Sequence, residues 1–127
     1  MKLLGIDYGE AKIGLALGDT ESRMSLPYKI IKNNGWQSFI VEVYKLCQEE
    51  KIEKIIIGLP QNTQNETVSV GEEKVRELVK EIEARIELPV EFELETLSTQ
   101  AAQKLSPGKN DDDIAAMIIL QSYIDKN

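Results

Sequence analysis

The sequence contains no histidine and a single cysteine, and each scarcity removes a class of chemistry. Without histidine there is no Ser-His or Cys-His nucleophile pair and no imidazole ligand for zinc. A lone Cys47 has no partner for an intrachain disulfide, which fits a reducing compartment. It falls inside an apolar helical pattern and reads as a small core residue rather than a nucleophile. Long apolar runs are missing too: nothing approaches the ~20 residues that a membrane span requires. The stretch from Met1 to Asp7 meets a carboxylate too soon for a secretory signal, so a cytoplasmic protein without a membrane partner is expected. Positive charge is in deficit, with 15 Lys and Arg against 22 Asp and Glu and a net charge of −7. That balance argues against a broad, non-specific footprint on nucleic acid. It leaves room for a carboxylate site at which bound cations supply the positive charge.

What is present is an ordinary globular composition, 42% hydrophobic and 29% charged over 127 residues, with no repeat, low-complexity tract or linker. One domain over residues 1–127 is expected. Lys2 to Asp7 is a short apolar run ending on a carboxylate. From Ile13 to Asp19, Ile13, Leu15 and Leu17 alternate with the small Gly14, Ala16 and Gly18. The two runs predict antiparallel strands joined by a loop from Gly9 to Lys12, and Tyr28 to Ile31, after Pro27, predicts a third. Trp36, Phe39, Ile40, Val43, Leu46 and Cys47 recur at helical steps. Ile55-Ile56-Ile57, ending at Gly58-Leu59-Pro60, suits a strand buried on both faces of a parallel sheet. Val75, Leu78, Val79, Ile82 and Ile86 mark a second helix ending near Leu88-Pro89, and Val90 to Glu95 alternates as a fifth strand. A short helix from Ser98 or Thr99 stops before Pro107. A last helix runs from Asn110 or Asp111 through Ile124, its centre apolar on most sides and therefore buried. The order βββαβαβα predicts an α/β fold, a five-stranded mixed sheet with helices on both faces.

Three acidic positions stand out. Asp7 closes an apolar strand, where a carboxylate has no packing value and where α/β sheets place ligands; Gly9 beside it permits close approach by a backbone or a phosphate. The plainer alternative is an Asx-turn capping the strand. Glu95 ends the fifth strand, with the hydroxyls of Thr96, Ser98 and Thr99 nearby, and its plainer alternative is a solvent-facing row of Glu91, Glu93 and Glu95. Asp111-Asp112-Asp113 precedes the last helix, where the macrodipole favours carboxylates and capping explains at least one of them. Two strand-end carboxylates and one at a helix start can converge on one sheet edge. An all-oxygen set of that kind suits Mg²⁺ or Mn²⁺ and phosphodiester hydrolysis.

Taken together, Gly5-Ile6-Asp7-Tyr8-Gly9, Ile13-Gly14-Leu15-Ala16, Gly58-Leu59-Pro60, Leu97-Ser98-Thr99 and Asp112 followed by Ala115 through Tyr123 resemble the YqgF family, nearly end to end and in the same order. The resemblance implies an RNase H-like fold and a divalent-metal nuclease of the cytoplasm that matures the 5′ end of pre-16S rRNA, in a family related to Holliday junction resolvases. By position, the family's acidic triad falls on Asp7, Glu95 and Asp112, as catalytic and metal-holding residues. Lys12 takes a position usually held by arginine and meets phosphate as a point charge. Asn62 matches a usual asparagine, and with Gly9, Ser98 and Thr99 it completes the expected substrate contacts; Gly58 and Pro60 are assigned to chain geometry. Three departures are visible. Leu94-Glu95-Thr96 stands where the family has Asp-Glu-Arg, the stretch from Ala101 to Asn110 is short, and Gln61 to Glu66 replaces a Gly-containing loop.

Nucleic acid is therefore the expected partner, with rRNA precursor preferred, a DNA junction as the alternative and ribosomal particles as a further candidate. A rival reading is an ATPase of the actin, Hsp70 and sugar-kinase class, whose first strand also ends in Asp and a Gly turn; those proteins enclose a nucleotide between two such domains, and 127 residues supply one. The other rival is a ribosome-assembly module that keeps the fold without catalysis.

Overall fold

Burial on both faces of the sheet decides the centre of the molecule, whose computed structural model describes residues 1–59, 70–94 and 112–127. In strand β1 (Lys2–Tyr8), Leu4 and Ile6 turn to one face and Leu3 to the other, all without exposed surface. Strand β4 (Lys54–Leu59) repeats this, with Ile55 and Ile57 on the first face and Ile56 on the second. The two pair in parallel at the middle of a five-stranded sheet ordered β3-β2-β1-β4-β5. Strands β2 (Lys12–Asp19) and β3 (Met24–Lys32) extend it antiparallel on one side, and β5 (Val90–Leu94) extends it parallel on the other. The order βββαβαβα and the mixed sheet are as the sequence predicts.

Helices cover both faces. Against the first lie α1 (Trp36–Glu49), through Phe39, Ile40, Val43, Leu46 and Cys47, and α2 (Val70–Arg85), through Val75, Leu78, Val79 and Ile82. Each fully buried aliphatic side chain there contributes roughly 1.5–3 kcal/mol of transfer free energy. Against the second lies α3 (Asp112–Lys126), through Ala116, Ile119, Leu120 and Ile124. The alternation of large and small residues in β2 now has a cause. Ile13 and Leu15 fill the α1–α2 core, whereas Ala16 and Gly18 lie beneath α3. Among the described residues no helix is long and apolar enough to cross a membrane.

Two predicted details differ. The third strand begins at Met24, not Tyr28, and runs through Pro27. An edge strand loses no ladder bond to a residue without N–H on its outer side, and the register shifts beside this proline, between Leu15 and Ala16. The last helix is buried at Ala115, Ala116, Ile119 and Leu120, but Ile114 is exposed. The predicted short helix from Ser98 or Thr99 and the cap at Asn110 or Asp111 lie outside the described residues.

Candidate functional site

Asp7 is half-buried one residue before the end of β1, on the α3 face by strand alternation from Leu3 and Gly5. Its antiparallel partner on β2 is Gly14, and one step beyond the Ile6–Ile57 pair its parallel neighbour on β4 is Gly58. The carboxylate is thus flanked on both sides by strand positions with no side chain, at the carboxyl ends of the parallel strands. A hard oxygen donor in a gap between two glycines fits a hydrated divalent cation.

Helix α3 is seated so that its start approaches this level. A Cβ on Gly5 would meet Leu120 Cβ at 2.9 Å and Ala116 O at 3.1 Å; a Cβ on Gly18 would meet Leu120 Cδ2 at 2.8 Å and Ile124 Cδ1 at 3.1 Å. Gly18 pairs with Leu3, toward the beginning of β1. The helix therefore runs from the Asp7 end of β1 toward its start. The backbone of Asp112, one ~5.4 Å turn before Ala116, is carried toward the level of Asp7, roughly 6.6 Å beyond Gly5. Polar contacts fix the helix along its axis. Ser25 Oγ donates to Met117 O at 2.9 Å, and Ser25 N–H donates to Gln121 Oε1 at 3.0 Å. The Arg23 guanidinium donates to the carbonyls of Ile124 at 3.0 Å and Asn127 at 3.1 Å, satisfying the helix C-terminus with a cation.

The turn after Asp7 is held as firmly. Gly9 N–H donates to Lys12 O at 3.0 Å, and a Cβ on Gly9 would sit 2.5 Å from that oxygen, so only glycine fits. Asn33, at the end of β3, clamps the same turn. Its Nδ2 donates to Gly9 O at 2.8 Å, its backbone N–H donates to Ala11 O at 2.9 Å, and its Oδ1 accepts from Gly35 N–H at 3.0 Å at the start of α1. No local pattern marks Asn33 for this role, because its partners are 24 and 22 residues away. A cleft of about 670 Å³ opens on the other side of the turn, lined by Tyr8, Gly9, Asn33, Trp36 and Lys74 among others; Asp7 does not line it.

Of the predicted site residues, Asp7, Gly9 and Lys12 share the β1–β2 hairpin, and Asp112 opens α3. Glu95 follows the last residue of β5 directly in sequence; Glu95, Asn62, Ser98, Thr99 and the Asp112 side chain lie outside the described residues. Among the described residues no three carboxylates or thiols gather into a metal-binding group. Glu91 is exposed, as the solvent-facing alternative has it, but Glu93 is not. Glu93 is buried and pairs with Lys126 Nζ at 2.8 Å. Glu91 accepts from Tyr123 Oη and, at 3.1 Å, from Lys54 Nζ, which hold its carboxyl below the ordinary range. These two glutamates tie β5 to α3, Glu93 beneath the helix and Glu91 at its exposed margin.

A family model described as "RuvX: Holliday junction resolvase" matches residues 1–126. Proteins named "Putative pre-16S rRNA nuclease" are similar over nearly the whole chain. One from Syntrophomonas wolfei is 32% identical over 98% of this chain and 94% of its own length. One from Clostridium kluyveri is 37% identical over 99% of this chain and 98% of its own. Among solved structures, Thermus thermophilus RuvC in complex with a Holliday junction substrate superposes with a TM-score of 0.66 at 14% identity, covering 98% of this chain and 94% of that one. That likeness establishes the RuvC-type, RNase H-like fold.

Proposed function

The chain belongs to the RuvX family, and from that membership we propose that it is a metal-dependent nuclease acting on structured nucleic acid, with the 5′ end of pre-16S rRNA as its substrate. The reading is carried by Asp7, a half-buried carboxylate between two glycine positions at the sheet edge toward which α3 brings the backbone of Asp112. Asp7, Glu95 and Asp112 are the proposed catalytic set, and together they would hold Mg²⁺ or Mn²⁺. Such an ion, when bound, supplies positive charge for the attacking and leaving oxygens of phosphodiester hydrolysis. Histidine is not needed for this chemistry, in keeping with its absence from the chain.

The remaining residues position the substrate. Gly9 and Lys12 flank the turn next to Asp7 and are proposed to meet the substrate there, Lys12 as a cation for a phosphate. Asn62, Ser98 and Thr99 are proposed to contact the substrate from the segments that follow β4 and β5. The whole chain, residues 1–127, acts as one domain in the cytoplasm, on free precursor RNA or on ribosomal particles.

The test is cleavage of a structured pre-16S RNA fragment with Mg²⁺ or Mn²⁺, by the parent protein and by Asp7→Asn, beside a four-way DNA junction. Metal-dependent cleavage of the RNA by the parent alone is expected. Preferential cleavage of the junction would move the substrate to DNA. A second reading, a non-catalytic ribosome-assembly module, is favoured by Thr96 standing where the family has arginine and by the acidic net charge. It predicts RNA binding without cleavage by either form.

A further inference from the structure

Lys32, the last residue of β3, has no assigned role, yet the register aligns it with the proposed site. Lys12 and Lys32 are direct partners across β2 and β3, and both are exposed. The residues next to them, Ile13 and Ile31, are also partners and both point into the core beneath α1 and α2. By alternation both lysines therefore belong to the opposite face, the one that carries Asp7. Strands β1, β2 and β3 are neighbours in that order; the row of Asp7 continues through Gly14 and Ile30, and Lys12 and Lys32 form the next row on the same face, two residues or roughly 7 Å further along the strands toward the Gly9 turn. Within the lysine row the two backbones are about 4.8 Å apart.

Such a pairing is unfavourable for the fold alone. Like charges directly opposite on neighbouring strands destabilise a sheet, and Lys32 itself makes no ion pair among the described residues. In a chain of net charge −7, two adjacent cations beside a carboxylate site are a local reversal of sign. The Asn33 clamp holds this end of β3 against the β1–β2 turn, which keeps the row rigid. A polyanion laid over the row relieves the repulsion, and its backbone runs from β3 toward Asp7.

We propose that Lys32 binds the sugar-phosphate backbone of the substrate, next to the phosphate taken by Lys12 and on the far side from Asp7. This rests on the nuclease reading above and names a further phosphate subsite within it.

The experiment measures binding of a structured pre-16S RNA fragment to Asp7→Asn protein, which cannot turn it over, between 50 and 200 mM salt. Adding Lys32→Gln is expected to weaken binding about three- to tenfold at the upper salt and to make the slope of log K against log salt shallower by about one unit. Lys32→Arg retains both slope and affinity. Lys29→Gln, on the α1 side of the same strand opposite Leu15, changes neither. The melting temperature of Lys32→Gln is unchanged or higher, which a structural role for Lys32 would not give. If RNA binds and Lys32→Gln leaves the slope unaltered, the subsite is refuted while the nuclease reading stands. If the Asp7→Asn protein binds neither RNA nor a DNA junction, both fall.

Discussion

Replacing Gly5 with alanine tests whether the seat of α3 sets the geometry of the site. The added methyl would lie 2.9 Å from Leu120 Cβ and 3.1 Å from Ala116 O. Neither atom can swing aside, since one is the root of a side chain and the other is helix backbone. The helix must shift by roughly 0.5 Å to restore ordinary contact. Overpacking of this kind costs roughly 1–3 kcal/mol, and the strand regains about 0.5–1 kcal/mol when alanine replaces glycine. The net loss ranges over about 0–2.5 kcal/mol, and a value of about 1–2 kcal/mol is expected because neither contact can yield. At roughly 2.1 cal/mol/K per residue, the 127 residues give an unfolding entropy of about 0.27 kcal/mol/K, so the melting temperature should fall by about 4–7 °C. A misplacement of 1 Å in a catalytic set can lower a rate about a hundredfold. A shift of half that size at the helix bearing Asp112 should lower cleavage by about three- to tenfold per folded molecule. Thermal melts and single-turnover cleavage of the RNA fragment read both quantities. An unchanged melting temperature would mean that α3 does not rest on Gly5. Lost stability with full activity would break the link between helix position and catalysis.

If the proposed set is right, Asp7→Asn, Glu95→Gln and Asp112→Asn should each abolish most cleavage while the metal-free protein melts at the same temperature or slightly higher, because carboxylates brought together would repel one another; severe unfolding in all three would assign them structural roles. Around Glu91, hydrogen bonds from Tyr123 and Lys54 lower the carboxyl from 4.5, so its contribution to stability is complete above that pH and lost as pH falls through the lower folded value. Lys54, bonded to Tyr123 and Glu91, is raised from 10.5, so its contribution is complete below that pH and lost as pH rises through the higher folded value. Melting between pH 5 and 2 should accordingly steepen less in Glu91→Gln than in the parent, and equal slopes would contradict the pairing. Burial pushes the Cys47 thiol up to about 11, so at pH 8 it should resist a thiol reagent until denaturant is added; prompt reaction of the native protein would show that the α1 core opens readily.

The fold was legible because its core strands carry their environment in their own residues. The β-branched run of β4 is what two covered faces require, and the small positions of β2 are those that α3 presses upon. Asp7 stood out for the converse reason, as a carboxylate near the end of an otherwise apolar strand. Less could be read where the cause is distant. Pro27 marks a strand start in isolation, yet an edge with a shifted register accommodates it mid-strand. The alternation Glu91, Glu93 looks like a wet face throughout, yet α3 buries Glu93 against Lys126 while Glu91 stays exposed beside Tyr123. Lys32 carries no local signal, and Asn33 shows locally only its turn to Gly35; their wider meaning arises when β3 folds back on the β1–β2 turn.

The most direct measurement is paramagnetic broadening of backbone amide signals by Mn²⁺ in the parent protein and in Asp7→Asn, without nucleic acid. Selective loss of the signals of Asp7, Tyr8, Gly14 and Gly58, reversed by excess Mg²⁺ and absent in Asp7→Asn, is the predicted result. Broadening spread evenly over the acidic surface, or unaltered by the substitution, would mean that no ion is held at this sheet edge.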